Sequence, residues 1–198
     1  MIIGLTGGSG TGKSTACRFF EDKGFFIIDC DVLAREVCLP GERCLEEIAD
    51  SFGDEVIADD GSLKRQTLAQ IVFSSPDKLK LLNSITHKHI IQRIYNIIEE
   101  KRRKNIVIDA PLLFEAGLET VCSCVIGVLA DESKRLDRIC KRDLISASLA
   151  KKRISSQHSD GFYEDKCDFV VYNNDTGEEL FCRLEEIYQN LGGNNVTK

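Results

Sequence analysis

The chain has 198 residues, of which 42% are hydrophobic and 29% charged, and its formal net charge is -6. This composition is typical of a soluble globular protein, and the negative charge argues against nucleic acid or an anionic membrane as the main partner. No apolar run approaches the roughly 20 residues that span a bilayer, and the N-terminus lacks a signal-peptide pattern. We therefore expect a cytoplasmic protein with neither a nucleic-acid nor a membrane partner.

Short apolar runs alternate with helical patterns along the chain. The predicted strands are residues 1–6, 25–28, 106–109, 124–129 and 169–172, and the predicted helices around them are 13–23, 132–142, 146–156 and 178–190. Continuous apolar strands alternating with helices indicate an α/β fold with a five-stranded parallel sheet covered on both faces. Residues 32–104 are predicted to be mostly helical, which is too long for a simple crossover and indicates an inserted lobe.

A glycine-rich segment follows the first predicted strand. Residues 7–14, GGSGTGKS, match the motif G-x-x-x-x-G-K-[ST] between a strand and a helix. Glycines let successive backbone N–H groups face an anion, and the helix N-terminus adds the positive end of its dipole. The predicted nucleotide-binding residues are Gly10, Thr11, Gly12, Lys13, Ser14 and Thr15. Lys13 is expected to reach the β- and γ-phosphates of ATP, and the Ser14 hydroxyl is expected to ligate Mg²⁺.

The alternative for this segment is a glycine-rich turn that binds nothing, but the lysine–serine pair behind a strand favours phosphate binding. A GTPase would carry a guanine-reading N-K-x-D, and the sequence Asn173-Asn174-Asp175 is not one. A transporter ATPase would carry a signature segment that the chain lacks. The small size and the carboxylates after the second strand favour a small-molecule kinase with a P-loop NTPase fold.

Two aspartates follow the second predicted strand. Side chains alternate along a strand, so Asp29 and Asp31 are expected to point the same way at the carboxyl edge of the sheet, where ligands bind. There Asp31 can accept the proton of a substrate hydroxyl or orient it towards the γ-phosphate. The alternative is that Asp31 caps a helix that begins at Val32. The neighbouring phosphate-binding motif favours the catalytic role.

Several segments occur in a specific order between residue 3 and about residue 191. They are GLTGGSGTGKST, DCDVLAREV, PG, DGSLKRQTLAQIVF, ITHKHI, PLLFEAGL, RISSQ and CDFVVYNN. In this order and spacing the chain resembles the dephospho-CoA kinases. Three positions depart from the usual pattern, namely Cys30 and Cys167 in place of alanine and Lys88 in place of a proline, and none removes a group that the chemistry needs.

The resemblance implies transfer of the γ-phosphate of ATP to the ribose 3′-hydroxyl of dephospho-CoA, the last step of coenzyme A synthesis. It also implies a core of residues 1–31 and 105–191, a helical acceptor-binding lobe of residues 32–104 and a lid of residues 143–160. The partner is then a small molecule, and we expect a monomer or a weak homo-oligomer. Two alternatives stay open. One is another nucleotide or small-metabolite kinase, and the other is a P-loop sensor that binds a nucleotide without turnover. Asp31 and a basic lid argue against the sensor.

Arg135, Arg138 and Arg142 recur on one face of a predicted helix. Arg138 and Arg142 are expected to close over the triphosphate, with Arg142 catalytic, whereas Arg135 is expected on the surface. The alternative is an ordinary solvated basic face. Asp109 looks like a Walker-B aspartate that holds Mg²⁺ through water, and the alternative is a structural hydrogen bond near the phosphate-binding loop.

For the acceptor, Arg35 and Arg65 are candidate partners of its phosphates, with surface arginines as the alternative. The resemblance suggests that His87 meets the CoA moiety, although a capping or packing histidine fits equally well. Residues 111–115 are expected to shape the acceptor pocket, with Leu113 and Glu115 as contacts. The nine cysteines contain no C-x-x-C pair, and we expect reduced, mostly buried thiols.

Overall fold

The computed structural model describes residues 1–102 and 104–192. Five strands form one sheet: β1 (Ile2–Thr6), β2 (Phe26–Asp29), β3 (Ile106–Asp109), β4 (Cys124–Leu129) and β5 (Phe169–Tyr172). Their order in the sheet is β2-β3-β1-β4-β5. β1 lies parallel to both β3 and β4, with Leu5 opposite Asp109 on one side and Ile126 on the other, and β4 lies parallel to β5. The predicted five-stranded parallel α/β fold is confirmed.

Helices occupy the connections. They are α1 (Lys13–Asp22), α2 (Cys30–Glu36), α3 (Arg43–Phe52), α4 (Arg65–Phe73), α5 (Pro76–Glu100), α6 (Glu132–Asp143), α7 (Ala147–Ser155), α8 (Asp160–Lys166) and α9 (Gly177–Asn190). Two short 3₁₀ helices are added, Asp54–Val56 and Leu118–Val121. Within the described residues, no helix is both long and apolar enough to cross a membrane.

The chain divides into two compact units. One contains residues 1–27 and the described residues after 103, and the other contains residues 28–102. The core of the first unit lies where α1 and α9 cover the sheet, and Phe20, Ile126 and Leu184 are fully buried in it. The core of the second unit is built from α3 to α5 and the segment that follows α2, and it includes Cys38 and Ile48. None of the nine cysteines, all of which lie within the described residues, forms a disulfide; four are buried, four are half-buried and one is exposed.

The end of the second strand differs from the expectation. β2 ends at Asp29 and α2 begins at Cys30, so Asp29 and Asp31 are not alternate residues of one strand. The Asp29 side chain caps α2 by accepting hydrogen bonds from the N–H groups of Asp31 (2.9 Å) and Val32 (3.0 Å). The alternative in which Asp31 is the cap is therefore wrong, because the helix starts two residues earlier and Asp31 lies in its first turn.

Candidate nucleotide-binding and active site

The phosphate-binding loop joins β1 to α1 and depends on glycine at specific positions. Gly7, Gly10 and Gly12 have φ values of 144°, 78° and 97°, a region that other residues rarely adopt. At Gly12, which precedes α1, an added Cβ would lie 2.0 Å from Asn173 Nδ2. The loop therefore brings bare backbone to the N-terminus of α1, whose first N–H groups have no acceptor within the helix. This donor set fits a triphosphate.

Two polar residues of α1 are directed differently. Ser14 is exposed in the first turn, where its hydroxyl is available as a metal ligand. The N–H of Thr15, which was predicted to bind phosphate, instead donates to the Gly12 carbonyl at 2.9 Å in this structure. Within residues 1–102 and 104–192, no cluster of three or more His, Cys, Asp or Glu residues could hold a metal ion. A phosphate-bound Mg²⁺ held by Ser14 is compatible with this ligand set, since Mg²⁺ commonly binds through substrate phosphates and water.

Lys13 belongs to a cluster with Asp109 and Cys17. The Lys13 ammonium forms an ion pair with Asp109 Oδ1, and Cys17 Sγ donates to Asp109 Oδ2 at 3.2 Å. Lys13 and Cys17 are one turn apart on α1, and Asp109 is the last residue of β3. The Lys13 side chain is only 14% exposed. Asp109 therefore makes structural contacts near the phosphate-binding loop, as one of the two interpretations of this residue expected. Its role in holding Mg²⁺ stays a prediction.

Arg138 and Asn173 support the loop from outside. Arg138 donates to the carbonyls of Gly10 (3.2 Å), Thr11 (3.4 Å) and Asn173 (2.9 Å), and Asn173 Nδ2 donates to the Thr11 carbonyl at 2.8 Å. The Arg138 guanidinium therefore holds loop carbonyl oxygens in this structure, and its predicted contact with the triphosphate stays a prediction. Asn173 follows β5 and was not singled out, although it lies in the segment CDFVVYNN that carries the family resemblance.

The expectation that Arg135 lies on the surface is wrong. Its residue exposure is 5%, and its Nε donates to the Ser9 carbonyl at 3.0 Å while Nη2 donates to Gln157 Oε1 at 2.9 Å. Helical spacing placed Arg135 and Arg138 on one face correctly, but that face packs on the phosphate-binding loop and not against water. Gln157, at the end of the segment RISSQ, was likewise not recognised as a loop contact.

Arg142 lies at the exposed end of α6. Its side chain is 60% exposed and binds the Asp143 carboxylate through two nitrogens, at 2.7 and 3.0 Å. Arg153 of α7 pairs with the same carboxylate. Hydrogen bonds from Arg142, with those from Arg153, lower the pKa of Asp143 to about 2. The structure thus brings Arg142 to the start of the predicted lid, and its catalytic role stays a prediction.

The segment after β3 forms part of a cavity of about 190 Å³. Its lining includes Pro111, Leu112, Glu115, Gln157, His158 and Tyr163. Glu115 Oε1 is 2.7 Å from His158 Nε2, and the His158 ring stacks on Phe162 with a centroid separation of 3.8 Å. Leu113 is fully buried at 0% exposure, and its neighbour Leu112 contributes to the cavity wall instead.

The remaining predicted residues belong to the unit of residues 28–102. Asp31 and Arg35 are exposed on α2, and Arg65 is exposed at the first position of α4. His87 is half-buried in the middle of α5. Asp31, Arg35 and Arg65 are therefore accessible on this unit, as contacts with a dissolved substrate require.

A phosphate-binding loop between the first strand and first helix of a parallel α/β sheet, with a lysine and a serine at the helix start, defines a P-loop protein of the small-kinase type. The family model described as dephospho-CoA kinase matches residues 1–179. The chain belongs to the dephospho-CoA kinase family.

Similar proteins agree with this assignment. The chain is 38% identical to a dephospho-CoA kinase of Fusobacterium nucleatum over 96% of this chain and 98% of the relative. It is 44% identical to one of Moorella thermoacetica over 79% of this chain and 76% of the relative. A solved structure of a dephospho-CoA kinase from Campylobacter jejuni superposes with a TM-score of 0.70 at 26% identity, covering 98% of both chains.

Proposed function

We propose that the chain transfers the γ-phosphoryl group of ATP to the ribose 3′-hydroxyl of dephospho-CoA, giving coenzyme A and ADP. The observation that carries this proposal is the family match over residues 1–179 together with a complete phosphate-binding loop that ends in Lys13 and Ser14. The family supports dephospho-CoA as the acceptor, and the residues of the loop support the ATP site.

In the proposed complex, the backbone N–H groups of residues 10–14 and the Lys13 ammonium bind the β- and γ-phosphates. Lys13 leaves Asp109 to do so, and the freed Asp109 carboxylate would help to hold Mg²⁺. Ser14 would hold Mg²⁺, which would supply positive charge against the phosphates. Arg138 and Arg142 add positive charge around the triphosphate.

Asp31 is proposed to act on the acceptor. The 3′-oxygen forms a bond to the γ-phosphorus while the bond between that phosphorus and the β–γ bridging oxygen breaks, and the hydroxyl proton passes to the Asp31 carboxylate. This role is supported by the exposure of Asp31. It is also supported by the cap of α2, which is formed by Asp29 and not by Asp31. Each bond formed and broken is then accounted for without a covalent enzyme intermediate.

The remaining predicted contacts concern the acceptor and the lid. Arg35 and Arg65 bind acceptor phosphates, and His87 contacts the CoA moiety. Residues 111–115 shape the pocket; in this structure Glu115 is exposed and Leu113 is buried. Residues 32–104 form the acceptor-binding lobe, and residues 143–160 form a lid that excludes water from the reaction. The protein is proposed to act in the cytoplasm as a monomer or weak homo-oligomer.

The test is an assay of ADP release with dephospho-CoA, adenosine, AMP and shikimate as competing acceptors, with the product mass measured in parallel. We expect turnover with dephospho-CoA and a product heavier by one phosphoryl group on the 3′-oxygen. Dephospho-CoA that lacks the 3′-hydroxyl is the matched control and should give no ADP above background. Preference for another acceptor would identify a different small-molecule kinase, and ATP binding without ADP release would identify a sensor.

A further inference from the structure

The Gln157 side chain holds the outer turn of the phosphate-binding loop. Gln157 lies two residues beyond α7, and its Oε1 accepts a hydrogen bond from the N–H of Ser9 at 2.9 Å. Its Nε2 donates to the Ser9 hydroxyl at 3.2 Å. A single side chain from the end of the proposed lid therefore binds both the backbone and the side chain of one loop residue.

Arg135 completes this contact from α6. Its Nε donates to the Ser9 carbonyl at 3.0 Å, and its Nη2 donates to the same Gln157 Oε1 at 2.9 Å. Arg135 is 5% exposed, and its Nη1 lies 3.7 Å from an Asp160 carboxylate oxygen. The two side chains hold each other as well as the loop, so that the N–H, the carbonyl and the hydroxyl of Ser9 all have partners.

The glycine at position 8 is explained by the same contact. Gly8 has no unusual φ, but an added Cβ would lie 2.4 Å from Arg135 Nη2 and 2.9 Å from Gln157 Oε1. At Gly10 an added Cβ would lie 2.7 Å from the Arg135 carbonyl oxygen. A side chain at position 8 would therefore displace the Arg135 and Gln157 side chains from these contacts, and the α6 backbone leaves no room for one at position 10.

We propose that Arg135 and Gln157 are positioning residues that keep residues 8–10 of the loop in the conformation that binds the triphosphate. Gln157 also fixes the C-terminal end of α7 to the loop, so that α7 moves about this end. Ser9, Arg135 and Gln157 thus form a clamp, and neither Arg135 nor Gln157 is required to touch the nucleotide for it to act. This inference rests on the proposed ATP site and does not depend on the acceptor.

If the clamp competed with the nucleotide for loop N–H groups, it would lower the affinity for ATP and not support it. Gln157 Oε1 accepts a hydrogen bond from the Ser9 N–H, and the loop is expected to bind anions through such N–H groups. If Gln157 occupied a donor that the phosphates need, it would weaken ATP binding. Two observations favour positioning. Gln157 Oε1 has a second donor in the buried Arg135. Arg135 also donates to the Ser9 carbonyl, and an ionised phosphate cannot compete for this carbonyl because both are hydrogen-bond acceptors.

The test compares Gln157→Ala with Gln189→Ala in the full chain. Gln189 is exposed on α9, where its side-chain amide donates to Glu185 Oε1 at 2.6 Å, so its replacement by alanine is the matched control for the loss of a glutamine side chain. Affinity is measured by calorimetry with a non-hydrolysable ATP analogue. We expect Gln157→Ala to weaken binding on the order of 10-fold, because Ser9 and Arg135 lose a shared partner. Gln189→Ala should bind like the unmodified chain.

Kinetics and a second variant separate positioning from a general loss of structure. With Gln157→Ala, KM for ATP should rise while kcat and KM for the acceptor stay within about two-fold. Gln157→Met keeps the unbranched side chain without its polar atoms and should reproduce the effect if the alanine variant does not fold. Combining either with Arg135→Lys should cost less than the sum of the single changes, because the residues act together.

Unchanged or tighter binding of the analogue by both Gln157 variants would overturn the clamp, as would strictly additive effects with Arg135→Lys. Failure of the unmodified chain to bind the analogue would overturn the ATP site and the clamp together. Normal binding of the analogue with no turnover of dephospho-CoA would contradict the proposed function while the effect on affinity still tests the clamp.

Discussion

Lys13 and Asp109 form an ion pair that joins the first turn of α1 to the end of β3. The second oxygen of the same carboxylate accepts a hydrogen bond from Cys17, so both oxygens of Asp109 are engaged. The residue proposed to bind phosphate and the residue proposed to serve the metal therefore neutralise each other in this structure. The proposed phosphate binding would draw the Lys13 ammonium away from Asp109, because the triphosphate competes with this carboxylate for the same positive charge.

Lys13→Met is expected to abolish turnover and also to destabilise the chain. Asp109 is 8% exposed and would lose its cation, which costs on the order of 1–3 kcal/mol of unfolding free energy. The double variant Lys13→Met, Asp109→Asn should regain much of this stability without regaining activity. Denaturant unfolding and ADP release measure the two effects, and a fully active Lys13→Met variant would contradict the phosphate-binding role.

Asp31→Asn is expected to lower turnover by about 10²- to 10⁴-fold while ATP still binds, because the amide cannot take the proton of the acceptor hydroxyl. Stability should hardly change, since Asp29 and not Asp31 caps α2. Asp29→Ala is the contrasting variant and should cost about 0.5–2 kcal/mol of unfolding free energy through loss of the cap. Turnover of Asp31→Asn within a few-fold of the unmodified chain would remove Asp31 from the mechanism.

Amide hydrogen exchange in residues 146–157 is expected to slow when ATP and acceptor are both bound, because a lid that closes loses its local opening motions. The effect should be greatest in the body of α7 and small near Gln157, which already contacts Ser9. Exchange followed by mass spectrometry without ligand, with each ligand and with both tests this. Equal exchange in all four states would contradict the assignment of residues 143–160 as a lid.

Asp143 is expected to make stability depend on pH in the acid range. Its pKa is lowered from 3.8 to about 2 by Arg142 and Arg153, so its contribution is fully present above about pH 4 and is lost as pH falls towards 2. Asp143→Asn should remove this part of the pH dependence, and salt should weaken it because the group is near the surface. Unfolding measured between pH 6 and 2 at low salt checks this, and identical curves for both proteins would contradict it.

Several features of this protein were determined by its sequence alone. The bounds of β3, β4 and β5 agree with the prediction, because continuous apolar runs that end at polar residues leave little choice of where a buried strand stops. The phosphate-binding loop was equally evident, since its glycines, lysine and serine are adjacent in the chain and act through local backbone geometry.

Only the tertiary structure decided the roles of Arg135, Gln157 and Cys17. Helical spacing shows which residues share a face, but not whether that face meets water or a loop more than 100 residues away, as Arg135 meets Ser9. The cap of α2 was missed for a related reason. An aspartate can end a strand or begin a helix with equal ease, and the hydrogen bonds from Asp31 and Val32 to Asp29 exist only once the strand and helix are both in place.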